Sequence, residues 1–170
     1  MRSNDMKNID QADYEALQEE NRQLQKENEH LHKMVRELST PIIPSIIPET
    51  ILVPLVGALS RQRIVTLREK ILFAIHDQQA ENVIIDFTGI TRLDISEIGY
   101  GEIGTLIEDL TSALKLVGAE TLYVGFSTEL AKELIQSNVN FSSFKTFASF
   151  RMGLQHLMDQ KGLTFTKKVL

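Results

Sequence analysis

Asp94-Ile95-Ser96-Glu97 places two carboxylates and a hydroxyl where a loop enters a periodic apolar stretch. Two chemistries suit this group. In the first, Asp94 caps the coming helix by accepting from the Glu97 amide, a capping box that employs both acids structurally. In the second, Ser96 is a phosphoacceptor, because a phosphate at an exposed helix start adds about −1.5 to −2 of charge and changes what docks there. Catalysis by Asp86 with Asp94 lacks a companion histidine, nucleophile or metal motif. The chain therefore reads as a non-enzyme with no catalytic residue, metal or cofactor.

Gly99-Tyr100-Gly101-Glu102-Ile103-Gly104 has the spacing of a dinucleotide-binding fingerprint, which needs its glycine turn directly between a strand and the helix that holds the pyrophosphate. The preceding strand ends near Phe87, twelve residues too early. The next strand ends in Gly125-Phe126-Ser127, with no acidic residue to hold a ribose, so the glycines read as local backbone flexibility. The absence of cysteine excludes disulfides and thiolate zinc, and His30, His32, His76 and His156 are scattered without a ligand pattern. Eighteen basic against 23 acidic groups leave a net charge of −5, which repels a phosphate backbone, so no nucleic-acid partner is expected.

The scaffold that positions these residues follows from composition and periodicity. With 170 residues, 42% hydrophobic and 24% charged, the chain suits one globular domain plus an appendage. No run approaches the roughly 18 apolar residues of a membrane span, and Met1-Arg2-Ser3-Asn4-Asp5 lacks a signal-peptide core. A cytoplasmic protein without membrane contact is expected.

From 41 to 160, short apolar runs alternate with longer periodic ones, the pattern of an α/β domain of about four β–α repeats. Ile51-Leu52-Val53-Pro54-Leu55-Val56 reads as a strand that Pro54 confines to an edge or an irregular position. Residues 62–78 put Ile64, Leu67, Ile71, Leu72 and Ile75 on one helical face, and Val83-Ile84-Ile85-Asp86-Phe87 reads as a central strand buried on both sides. A second helix turns Leu106, Leu110, Ala113 and Val117 inward and stops at Gly118, before a strand at 121–124. Ser127 caps a short helix carrying Leu130, Leu134 and Ile135. A strand at 144–147 and a helix with Phe150, Leu154, Leu157 and Met158 complete the domain, and the tail at 161–170 reads as frayed.

Upstream, residues 1–13 read as a flexible N-terminus and 14–38 as a coiled-coil helix ended by Ser39-Thr40-Pro41. Leu17, Leu24, Leu31 and Leu38 recur every seven residues at d, with Tyr14, Asn21, Asn28 and Val35 at a. Leucine at d with asparagine at a suits a parallel homodimer, in which the asparagines pair across the axis. A single amphipathic helix lying on the domain is the alternative. A DNA-binding zipper would need a basic helix where Asn8-Ile9-Asp10-Gln11-Ala12-Asp13 stands.

Leu38-Ser39-Thr40-Pro41-Ile42-Ile43-Pro44 with Ile51-Leu52-Val53-Pro54-Leu55-Val56-Gly57 resembles the junction of linker helix and STAS domain in RsbR-type stressosome proteins, the RsbT co-antagonist family. Val83-Ile84-Ile85-Asp86-Phe87-Thr88-Gly89, Leu114-Lys115-Leu116-Val117-Gly118-Ala119-Glu120 and Gly125-Phe126-Ser127-Thr128-Glu129-Leu130-Ala131 extend the likeness over roughly residues 36–160. The resemblance implies a STAS (SpoIIAA-like) domain with a mixed β-sheet and alternating helices at 41–160, preceded by the coiled-coil helix. It also implies a non-enzymatic scaffold that assembles with an RsbS-like STAS protein and other RsbR paralogues and sequesters an RsbT-like serine/threonine kinase. The family's large N-terminal sensor domain is not expected here. The family's phosphosites match Ile95 and Glu133, neither of which can accept a phosphate in the usual way, and the stretch from Asp94 to Leu106 is about six residues longer than usual. Ser96 is then the nearest hydroxyl, and Asp94 and Glu97 belong to the partner surface. A simpler SpoIIAA-type antagonist and a ligand-sensing STAS module remain as alternatives.

Overall fold

A computed structural model describes residues 11–38, 41–96, 98–136, 144–164 and 166. Glu97, residues 1–10, the side chains of Val35 and Leu38, and most of the tail lie outside the described set. The chain divides into two units, Met1–Leu38 and Ser39–Leu170.

The first unit is helix α1, Gln11–Leu38, whose 28 residues begin three positions before the heptads do. Arg22 pairs with Glu19 one turn back at 2.8 Å on the solvated side. Tyr14, Leu17, Leu24 and Leu31 share one face with Asn21 and Asn28 between them, and each of the four is about half exposed or more.

The second unit is a five-stranded sheet in the order β1 (Ile43–Pro44), β2 (Thr50–Val56), β3 (Asn82–Gly89), β4 (Glu120–Val124), β5 (Lys145–Phe147). Only β1 runs antiparallel to its neighbour. Crossovers between the parallel strands are made by α2 (Arg61–Gln78), by α3 (Arg92–Ile95) with α4 (Tyr100–Leu116), and by α5 (Thr128–Gln136); α6 (Phe150–Gln160) closes the chain.

Side-chain alternation along the strands divides the core into two. Val83, Ile85, Phe87 and Tyr123 join Ile64, Leu67 and Ile71 of α2 and Ile103, Ile107 and Leu110 of α4. The intervening Ile84, Leu122 and Val124 face Leu157 and Met158 of α6. Strand β3 is thus covered on both sides, which is why its sequence is a nearly unbroken apolar run. Pro54 lies past the two residues of β1, and the β2–β3 ladder shifts register between Pro54 and Val56, so its missing N–H falls at an irregular position.

One inward assignment does not hold. Helix α4 buries Ile103, Leu106, Ile107, Leu110 and Leu114, while Val117 is exposed because the helix has ended and Val117 already belongs to the turn into Gly118. In α5 the buried pair is Leu130 and Leu134; Ile135 sits one position off that stripe and is exposed.

Candidate functional site

Because β2, β3 and β4 are parallel, the loops that follow them share one edge of the sheet, the usual place for function in open α/β sheets. These are residues 57–60, 90–99 and 125–127. The first two are clasped together. The Asp94 carbonyl accepts from Leu59 N at 2.6 Å, and Arg63 Nη1 donates to the carbonyls of Gly57 (2.8 Å) and Ala58 (2.7 Å). Burial pulls the Arg63 guanidinium below its usual pKa, and the charge of Asp94 opposes that shift. Arg61 reaches across to Glu102 in the first turn of α4 at 2.8 Å. No sequence signal announces this last contact, which joins residues 41 apart in the chain.

The contact of Asp94 with the Glu97 amide lies outside the described residues, and among those described Asp94 does not cap α4. Its Oδ2 accepts from Thr91 Oγ1 at 2.6 Å and from Thr91 N at 2.8 Å, which closes the short turn α3 back on its own start, and Gly99 precedes α4 instead. The physical reason is the long stretch from Asp94 to Leu106. It holds the end of α3, a second turn and the opening of α4, so the cap and the helix it was assigned to are separate elements.

The Thr91 hydroxyl, then the Thr91 amide and the Arg63 charge, hold the Asp94 carboxyl below the usual carboxylate range. A depressed carboxylate contributes stability above its unfolded pKa and loses it as pH falls through the folded value. Thr91→Ala should therefore move the Asp94 midpoint upward and reduce the acid-side loss of stability. Carboxyl-carbon NMR titration checks this, and an unmoved midpoint would show that the hydroxyl is not the cause.

The remaining predicted residues separate by exposure. Ile95 is 1% exposed and belongs to the main core, so its side chain is committed to packing. Ser96 is exposed, its hydroxyl donating to the Leu93 carbonyl at 2.8 Å, and Leu93 beside it is 82% exposed. Glu133 is exposed on α5, whose start is capped by Ser127 Oγ accepting from Leu130 N at 3.1 Å. Asp86 Oδ1 accepts from Thr88 N at 2.8 Å and Thr88 Oγ1 at 2.5 Å. Asp94 on the rim and Asp86 near the end of β3 are therefore both engaged by their own neighbours. Among the described residues no group of three His, Asp or Glu could hold a metal ion, and no helix is long and apolar enough to cross a membrane.

A sequence profile of the STAS domain matches residues 38–152. The chain belongs to the STAS domain family. Its mixed sheet with alternating helices is the STAS fold expected from the motifs. The RsbT co-antagonist proteins RsbRA and RsbRB of Bacillus subtilis (strain 168) are 26% identical over 125 residues and 27% identical over 148 residues. These alignments cover 74% and 87% of this STAS chain but 43% and 48% of the relatives. The chain thus spans about half the length of the curated relatives it matches. Two solved structures share the fold: an RsbS variant from Moorella thermoacetica, with 16% identity and a TM-score of 0.59, and a chain from the molecular architecture of the stressosome, with 14% identity and a TM-score of 0.54. Each alignment covers 71% of this chain and 98% of that one.

Proposed function

We propose that this STAS protein is a non-enzymatic signalling and scaffold component of a stressosome-like complex, which holds an RsbT-like serine/threonine kinase in a partner-switching stress response in the cytoplasm. The observation that carries this reading is the rim itself. It presents an exposed hydroxyl and an exposed leucine, while Asp94 and the neighbouring Asp86 of β3 are engaged by their own neighbours, which suits docking and not bond-making. The names of RsbRA and RsbRB as RsbT co-antagonists, and the stressosome chain that shares the fold, support the choice of partners. Those partners are an RsbS-like STAS scaffold, other RsbR paralogues and the kinase, joined by a homodimer through α1.

Co-expression with an RsbS-like and an RsbT-like protein should give a megadalton particle visible by electron microscopy. A kinase complex of one-to-one stoichiometry without RsbS would favour the simpler SpoIIAA-type antagonist, and no complex at all would reject both.

Phosphate transfer to this chain falls on Ser96 in the proposed cycle. Exposure to the kinase and ATP, followed by peptide mass spectrometry, should locate the label there, and label elsewhere with Ser96 unmodified overturns the assignment. Glu133 then acts as a permanent, weaker stand-in for a phosphorylated threonine, with one negative charge against about −1.5 to −2. Glu133→Thr should change kinase affinity several-fold, and phosphorylating the new threonine should restore it. Equal affinities for all three forms would leave Glu133 as a solvated helix residue.

A further inference from the structure

At the opposite end of the sheet from the rim lies a cleft of about 340 Å³, lined by Thr111, Lys115, Gly118, Glu120, Thr121 and Lys145. Its origin is topological. Strand β5 begins with Lys145 opposite Leu122, so Glu120 and Thr121 of β4 extend past it, although on the other flank they pair fully with Asn82 and Val83 of β3. The volume falls within the range of small-molecule sites, roughly 300 to 1,000 Å³.

Two threonines meet this cleft in different states. The Thr111 hydroxyl is bonded to the Ile107 carbonyl and to the Tyr123 hydroxyl, each at 2.7 Å. Thr121 is 7% exposed, and its Oγ1 has no hydrogen-bond partner among the described residues. A buried hydroxyl without a partner is destabilising, and valine would fill the same space without that cost. Of the charges, Lys145 is paired with Glu120, whereas exposed Lys115 has no ion-pair partner among the described residues. The carbonyls of Leu114 and Lys115 at the end of α4 are occupied by the amides of Val117, Gly118 and Ala119, which reduces the negative partial charge that the helix end turns toward the cleft. The lining therefore carries one uncompensated positive charge.

We infer that this cleft binds a small molecule through one carboxylate or phosphate group, which gives Thr121 its acceptor and Lys115 its counter-charge. The inference does not depend on the signalling reading, since it concerns the other end of the domain.

The test is titration of the full chain with sodium acetate and, separately, sodium phosphate, at ionic strength held constant with chloride and followed by backbone amide NMR. Shifts at Gly118, Glu120, Thr121 and Lys145 should saturate in the millimolar range for at least one anion, and the tighter of the two identifies the group. Lys115→Gln should weaken that binding at least fivefold. Thr121→Val should do the same while leaving the thermal midpoint unchanged or higher. Absence of saturation with both anions overturns the site, as does equal affinity in the wild type and both variants. Lys115→Gln alters only an exposed side chain, so it decides the matter even if Thr121→Val fails to fold.

Discussion

Gly125→Ala should be the most destabilising single-methyl change in the STAS domain. Gly125 has φ +75°, and a Cβ placed there would lie 2.7 Å from Thr88 N and 2.9 Å from Asp86 Oδ1, with Thr88 Oγ1 closer still. The left-handed backbone alone costs a side chain about 1–2 kcal/mol, and overpacking adds about 1–3 kcal/mol. Together these come to about 2–5 kcal/mol, a fall of roughly 5–15 °C in Tm for a chain of this size. The second part is larger than a generic overpacking effect would suggest, because the obstruction is backbone and a hydrogen-bonded carboxylate, not the end of a flexible side chain. Gly118→Ala separates the two causes. Gly118 has φ +84° with nothing within 4 Å of the added Cβ, so it should show the conformational cost alone. Thermal unfolding of both variants checks the argument, and equal losses would mean that β4 and the Asp86–Thr88 turn do not approach as closely as described. Thr88→Ala in the Gly125→Ala background should recover only part of the loss, since Thr88 N remains in the way.

Leu24→Glu should convert a dimer into a monomer at micromolar concentration. In the proposed parallel coil each leucine at d faces its symmetry mate, so one substitution removes two buried side chains, worth about 1.5–3 kcal/mol each. The dissociation constant should rise by roughly 10² to 10⁴, because each 1.4 kcal/mol is a factor of ten. The choice of Leu24 follows from its position between Asn21 and Asn28, with 58% of its surface open in the single chain. Multi-angle light scattering gives the mass directly, and a mass equal to wild type would show that α1 does not dimerise the protein. Asn21→Leu with Asn28→Leu should act in the opposite sense, with tighter association and more than two chains per particle, because the paired asparagines trade stability for a defined parallel dimer.

Period and punctuation in the sequence were sufficient to place the fold. The heptad leucines predict α1, the unbroken apolar run at 83–87 predicts a strand covered on both faces, and Ser127 predicts the start of α5, because each is a local pattern tied to a local geometry. The same locality explains the errors. An ideal helix continued past Leu116 would turn Val117 inward, but α4 ends before it. At the rim, residue types single out Asp94 and Ser96 as candidates, yet they do not reveal what Asp94 bonds to. Its carboxylate closes α3 onto Thr91, its carbonyl holds Leu59, and its charge faces Arg63, contacts that exist only once two loops are brought together by parallel strands. The burial of Ile95 beside an exposed Ser96 is likewise a product of how α3 lies on the core, since neighbouring residues in a single turn differ in exposure only after packing chooses a face. Sequence by itself therefore determined α1, four of the five strands, the longer helices, their order and the family, but not the two-residue β1 or the single turn α3. Tertiary structure alone decided which hydroxyl is exposed, which carboxylates are occupied and where β4 extends past its pairing with β5, because each depends on the meeting of segments far apart in the chain.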